Sequence, residues 1–280
     1  MRFASLGRTF LVSAGCRRAW NPRSPDDRNE SVTTAPSFEL SQQDAVAFLR
    51  TLPAESVDLL VTDPAYESLE KHRAVGTTTR LKVSAGSSNP WFSVFPNARF
   101  AELFEEVHRV LKRDTHFYLM CDQETAFIAK PIAEQAGFKF WKPLVWDKRS
   151  IGMGYHYRAR YEFVLFFEKG KRRLADLGIA DVLEVPRVRG GYPAEKPSAL
   201  SEIFIKQSSV AGDLVVDPFM GSGSSGVAAL QQGRRFAGND VSDDSLKLAR
   251  ERLLVAGGVE GSLFAGALRG AAVQQRLALG

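Results

Sequence analysis

The chain has 280 residues, 44% apolar and 25% charged, with 23 Gly and 13 Pro; these values match ordinary globular proteins and exclude disordered, collagen-like and coiled-coil classes. Two cysteines, Cys16 and Cys121, make no disulfide scaffold and show no metal-ligand spacing, and no apolar run reaches the roughly 18 residues of a membrane span. Lys and Arg number 37 against 32 Asp and Glu, and the formal charge of +5 leans toward an acidic partner, nucleic acid first.

Residues 1–37 carry Arg2, Arg8, Arg17, Arg18 and Arg23 ahead of the first acid, Asp26. They read as a flexible basic extension, with a transit peptide or an upstream start codon as alternatives. From Phe38 the text becomes α/β. Ser41–Leu52 reads as a short helix ended by Pro53, and Ser56–Thr62 as a buried strand that stops at Asp63-Pro64-Ala65-Tyr66. Glu67 to Phe95 is polar and reads as a long loop. Phe100, Leu103, Phe104, Val107 and Leu111 recur at helical spacing. A strand at Phe117–Met120 and a helix at Glu124–Ala136, closed by Gly137, come next. Phe140–Trp146 and Tyr161–Phe167 are strand candidates, and Leu200–Lys206 is a helix candidate. Leu214–Asp217 reads as a strand, Gly221–Gly226 as a turn, and a helix begins at Val227. A strand at Arg235–Asp240 and a helix at Ser245–Leu254 complete the pattern. Such alternation implies a doubly wound, mainly parallel sheet.

Two turns carry chemistry. In Asp217-Pro218-Phe219-Met220-Gly221-Ser222-Gly223 a strand ends, the chain turns on small residues and a helix starts. Its glycines permit close approach of a ligand to the backbone, and its acid suits a neutral or cationic group better than a phosphate. Asp240 lies about 23 residues further on, where Rossmann-like sites place an acid for ribose hydroxyls. Alone, the glycines are equally consistent with a plain turn. Asp63-Pro64 also ends a strand, so both turns are expected at one crevice, although Asp and Pro are ordinary turn residues too.

Together, Asp63-Pro64-Ala65-Tyr66 and Asp217-Pro218-Phe219-Met220-Gly221-Ser222-Gly223 resemble the S-adenosylmethionine-dependent DNA amino methyltransferases, and their order resembles the circularly permuted beta group. The segments Ser41–Asp44, Val107–Lys112, Trp146–Lys148, Tyr161–Phe163 and Gly191–Pro197 resemble other blocks of that family, so the likeness spans about Phe38–Leu254. Ala65 stands where the family usually has proline, and Tyr192 where it has histidine.

The resemblance implies a Rossmann-like, mainly parallel seven-stranded sheet in a methyltransferase domain at 38–256, with a tail at 257–280. It implies S-adenosylmethionine over Asp217, Pro218, Phe219, Gly221, Ser222 and Gly223, with Asp240 on its ribose, Asp44 on its adenine amine and Lys196 as a further contact. Asp63, Pro64 and Tyr66 are the implied catalytic residues, acting on the exocyclic amine of a flipped adenine, or less favourably cytosine, in double-stranded DNA. No metal is expected. Residues 67–97 and 148–190, rich in Lys and Arg, are the expected DNA-contacting stretches. A cytoplasmic monomer or homodimer, of the kind found in restriction-modification systems, is expected. RNA or protein amino methyltransferases, and a nucleic-acid-binding homologue without catalysis, are the alternatives.

Overall fold

The computed structural model describes residues 36–68, 93–152, 157–190 and 194–264. The basic extension, most of the expected loop at 67–95, Tyr192 and most of the tail lie outside them. Nine strands are present among the described residues: β1 Ser37–Ser41, β2 Val57–Thr62, β3 Leu111–Cys121, β4 Lys139–Asp147, β5 Tyr161–Lys169, β6 Val182–Glu184, β7 Leu214–Asp217, β8 Arg235–Asn239 and β9 Val259–Glu260. The helices are α1 Ala45–Thr51, α2 Phe100–Val110, α3 Gln123–Gln135, α4 Ser198–Ser208, α5 Ser224–Gln231 and α6 Asp243–Val255. A 3-10 turn, Asn97–Arg99, leads into α2.

The sheet order is β6-β4-β5-β3-β2-β7-β8-β1-β9. All neighbouring pairs are parallel except β3–β5 and β4–β5, because β5 runs against both of its partners. The sheet is therefore mainly parallel and doubly wound, as expected, but it is not seven-stranded. The two additions, β6 and β9, are short strands at its two edges, three and two residues long. Edges kept this short offer little template for further strand pairing.

Side-chain alternation sorts the core into two layers. Leu60 and Leu119 face α1, α2 and α3, where Phe48, Phe104 and Ala129 pack. Leu59, Val61 and Tyr118 face α4, α5 and α6, where Phe204, Ala229 and Leu253 pack. β2 is buried on both faces along its whole length, which is why it reads as a continuous apolar run. Each fully buried Phe or Leu here contributes roughly 1.5–3 kcal/mol relative to exposure.

Differences from the sequence expectation are local. β1, with sequence Ser-Phe-Glu-Leu-Ser, is not among the expected strands, yet it pairs with both β8 and β9. β3 begins at Leu111, six residues before the apolar stretch at Phe117, with Lys112 partly exposed and Arg113 and Asp114 exposed on its first half. β5 and β6 belong to the sheet, so residues 148–190 are not one continuous insertion.

Candidate active site

The four strands β2, β7, β8 and β1 are consecutive in the sheet and mutually parallel. Their carboxyl ends consequently open on one edge. Each delivers an acid there: Asp63 follows β2, Asp217 ends β7, Asp240 follows β8, and Asp44 follows β1. Four carboxylates on one edge repel one another unless each has donors, and each does.

Asp217 is buried. It accepts from Thr62 Oγ1 at 2.7 Å, Ser225 Oγ at 2.6 Å and the Phe219 amide at 3.0 Å. Burial nevertheless pushes its carboxyl up to about 7, against the pull of these donors. Asp217 therefore clamps the turn from inside, and its oxygens are engaged within the protein. Gly221 and Gly223 have φ of 50° and 76°, and Gly223 caps α5 in the left-handed region. A Cβ on Gly223 would lie 2.9 Å from the Ala249 Cβ of α6, so the turn also needs glycine for close packing.

Asp240 Oδ2 accepts from the Gly221 amide at 3.0 Å, and Oδ1 from the Ser242 amide at 2.9 Å. Burial pushes its carboxyl above the usual range. Asn239, buried beside it, donates to the carbonyls of Gln43 and Pro218 at 3.0 and 3.1 Å. It ties the segment after β1 to the glycine turn. Ser222 is buried and shares a hydrogen bond with Ser224.

Asp44 caps α1, accepting from the amides of Val46 and Ala47. Arg99 grips it with two bonds, Nη1–Oδ2 at 2.6 Å and Nη2–Oδ1 at 3.0 Å, and holds its carboxyl below the usual range. Three donors fall on Oδ1 and one on Oδ2, so Oδ2 keeps a free lone pair in a side chain that is 42% exposed. Arg99 also lies over the Phe95 ring, which meets Phe219 of the glycine turn edge-on at 5.1 Å.

Asp63 accepts a short hydrogen bond from the Tyr66 hydroxyl on Oδ1, and its Oδ2 lies 2.5 Å from Lys196 Nζ. Lys196 Nζ is 3.3 Å from Glu162 Oε2, and Lys148 Nζ is 3.0 Å from Glu162 Oε1. Burial raises the Asp63 carboxyl and Lys196 opposes it, while the two lysines hold Glu162 low. The Phe95 amide donates to the Ala65 carbonyl at 2.9 Å. Among the described residues no donor reaches the Pro64 carbonyl. Tyr66 is 6% exposed, with its ring against the core.

Thus the structure brings Asp63, Pro64 and Tyr66 together with the glycine turn, Asp240 and Asp44 along one edge. Lys196, expected as a further cofactor contact, has its ammonium on Asp63. Its neighbour Glu195 makes a link to the glycine turn through Arg252, at 2.8 Å, whose Nη1 donates to the Ser222 carbonyl. Sequence reasoning missed Thr62, Ser225, Asn239 and Arg99. It placed Glu162 and Lys148 in recognisable blocks but gave neither a role in the site.

Several basic residues expected to face DNA pair with acids of the protein, the arginines at its surface and the lysines largely buried. Lys148 pairs with Glu162, Arg149 with Glu184 and Arg160 with Asp147. Lys169 is buried and donates to the carbonyls of His108 and Leu111.

Residues 57–251 match the model of a family described as DNA methylase. The DNA adenine methyltransferase YhdJ of Escherichia coli (strain K12) is 30% identical over 253 residues, covering 76% of this chain and 81% of that one. The type II methyltransferase M2.DpnII of Streptococcus pneumoniae is 26% identical, covering 76% and 88%. Among solved structures, a complex of M1.HpyAVI with SAM superposes with a TM-score of 0.58 at 20% identity, covering 77% of this chain and all of that one. The PvuII DNA methyltransferase, cytosine-N4-specific, gives 0.62 at 17% identity, covering 78% and 87%. At these identities the structural matches speak to the fold.

Proposed function

The chain belongs to the DNA methylase family, and from that premise we propose that it transfers a methyl group from S-adenosylmethionine to the exocyclic amine of adenine in double-stranded DNA. The observation that carries the reading is the pair of acceptors at the end of β2: the Asp63 carboxylate and the Pro64 carbonyl, adjacent to the glycine turn. Adenine is favoured by the relative named as an adenine methyltransferase. Cytosine is the second reading, since a protein of the same fold is named as cytosine-N4-specific.

The residues present fit the cofactor. The turn at Gly221–Gly223 brings bare backbone to the edge, Asp240 and Asp44 stand at the two strands beyond it, and Asp44 keeps a free lone pair for an amine. Bound there, S-adenosylmethionine supplies an activated methyl group. Asp217 holds the turn in shape from beneath.

An amine inside the duplex is unreachable, so the target base leaves the stack. Its amine is a poor nucleophile because the lone pair is delocalised into the ring. Asp63 and the Pro64 carbonyl accept hydrogen bonds from its two N–H groups and favour a tetrahedral nitrogen. The Asp63 charge stabilises the positive charge that grows there, and Asp63 takes the released proton. The Tyr66 hydroxyl donates to Asp63 Oδ1. It yields that oxygen when the ring turns to stack on the base, a contact of roughly 1–3 kcal/mol in comparable cases.

The test is modification-sensitive long-read sequencing of DNA from a methylation-free host expressing the protein or its Asp63→Ala variant. Methylated adenine in one short motif, absent with the variant, is the expected result. N4-methylcytosine would support the second reading. No modified base from a folded protein that binds S-adenosylmethionine would overturn both.

A further inference from the structure

Behind the Asp63 carboxylate lies a row of alternating charges that the proposed reaction does not use. Lys196 comes from the segment before α4, Glu162 from β5, and Lys148 from the end of β4. Contacts of 2.5, 3.3 and 3.0 Å link Asp63 to Lys196, Lys196 to Glu162 and Glu162 to Lys148. All four side chains are largely buried, from 13% to 23% exposed. The Trp146 ring lies 5.9 Å from both ammonium groups and screens them from water.

We propose that Glu162 is a positioning residue that tunes Asp63 by sharing Lys196 with it, and that Lys148 sets how strongly Glu162 pulls. The proposal rests on the reading of Asp63 as the catalytic carboxylate. Lys196 has a single ammonium and two carboxylates to serve. If Lys196 were bound to Asp63 alone, it would hold that carboxylate strongly acidic, and a strongly acidic carboxylate attracts the proton of an amine weakly. Glu162 draws part of the ammonium away and adds its own negative charge, so Asp63 keeps its basicity. Lys148 moderates Glu162 from the far side. The same row decides which oxygen meets the base: Lys196 holds Oδ2, which leaves Oδ1, now under Tyr66, for the amine.

The charged and titratable groups around the row are few. Asp63 faces Tyr66, Lys196, Glu162, Cys121 and Asp217. Glu162 faces Lys148, Lys196, Tyr66 and Cys121. Burial pushes the Cys121 thiol and the Tyr66 phenol far above neutrality, so both remain uncharged through the useful pH range. Asp217 is common to all variants.

Two variants move Asp63 in opposite directions. Glu162→Gln removes the competitor and the nearby negative charge, so Lys196 settles on Asp63. The acid limb of the kcat profile is expected to move down by roughly 0.5–1 pH unit, and the plateau to fall roughly threefold to tenfold. Lys148→Met lets Glu162 draw Lys196 further away, so the acid limb moves up. KM for S-adenosylmethionine and for DNA is expected to stay within about twofold in both, since Lys148 and Glu162 are engaged with each other and with Lys196 behind Asp63. The assay is single-turnover transfer of labelled methyl to DNA of a methylation-free host, from pH 5 to 9.

Shifts of the two acid limbs in the same direction, or no shift in either, would overturn the proposal; so would losses confined to KM or to thermal stability, which mark a structural role. Lys148 lies furthest from Asp63, so its variant carries the test if Glu162→Gln does not fold. Asp63→Asn run alongside separates the two levels. Full activity there refutes the catalytic reading itself, whereas its loss together with unmoved profiles refutes only the tuning.

Discussion

Thr62→Val should destabilise the protein more at high pH than at low pH. Thr62 is fully buried at the end of β2, and its hydroxyl donates to Asp217 Oδ1 at 2.7 Å. Valine keeps the shape and removes the donor, leaving Ser225 Oγ at 2.6 Å and the Phe219 amide at 3.0 Å. The Asp217 carboxyl titrates at about 7 in the folded protein, against roughly 3.9 in an unfolded chain. The folded state therefore holds a proton that the unfolded state has lost between those values. Stability is present at low pH and falls as pH rises through this window to about 7. Below the window's upper end Thr62 bonds a neutral acid, worth about 1 kcal/mol; above it Thr62 bonds an anion, worth about 1.5–3 kcal/mol. The difference between the two is the same quantity as the further rise of the carboxyl on losing one donor, roughly one unit or about 1.4 kcal/mol, and it is this difference that separates the costs at high and low pH. Asp217 is only 4% exposed, so solvent screening takes little from this figure. Urea unfolding of both proteins at pH 6 and pH 9 measures it, and titrations elsewhere cancel in the difference. A cost equal at the two pH values within about 0.5 kcal/mol, or larger at pH 6, would refute the assignment of Asp217 as a buried, titrating clamp.

Three further predictions follow from single contacts. Gly223→Ala forces alanine into φ 76° and its Cβ to 2.9 Å from that of Ala249, a cost of about 2–4 kcal/mol in urea unfolding; adding Ala249→Gly should recover the crowding part and leave the backbone part. His116 is buried among Ser208, Tyr118 and Phe166, and burial lowers its imidazole to about 4. The unfolded chain takes up that proton first, so this group's contribution, up to about 3 kcal/mol, is complete above roughly pH 6.5 and lost on acidification toward 4. Asp217 has the opposite slope over part of this range, so the comparison is with His116→Asn, which should lose less stability than the native chain between pH 7 and 4.5. Arg99→Ala leaves Asp44 with only the α1 amides. Calorimetric affinity for S-adenosylhomocysteine is expected to fall roughly tenfold, the size of one lost coupling of this kind, while unchanged affinity would remove Asp44 from the cofactor site.

Much of the fold was legible because burial imposes a local pattern. β2 and β7 read as strands from their apolar runs, and each run stops at an acid that the structure leaves on the functional edge. α2 was legible from Phe100, Leu103, Phe104 and Val107, all buried on one face. The glycine turn was legible from its composition. Where pattern and burial part, legibility failed. β1 is held by pairing with β8 and β9, not by its own apolar content, and in the first part of β3 only Leu111 pairs with β2 before the register shifts and Asp114 turns to a φ of 58°, so no strand period shows there. β6 and the reversed direction of β5 had no signal at all, since the period of a strand says nothing of its neighbour or its sense.

The sequence by itself determined which residue types end each strand, and so which acids could serve a site. Only the tertiary structure decided what each acid meets. Thr62 and Asp217 are 155 positions apart, and Arg99 and Asp44 are 55 apart; Lys196 reaches Asp63 from the segment before α4. Propensity and periodicity act over a few residues, whereas the partner of a buried charge is fixed by strand order. In this chain that order sets β2 beside β7 and brings β5 within reach of both lysines.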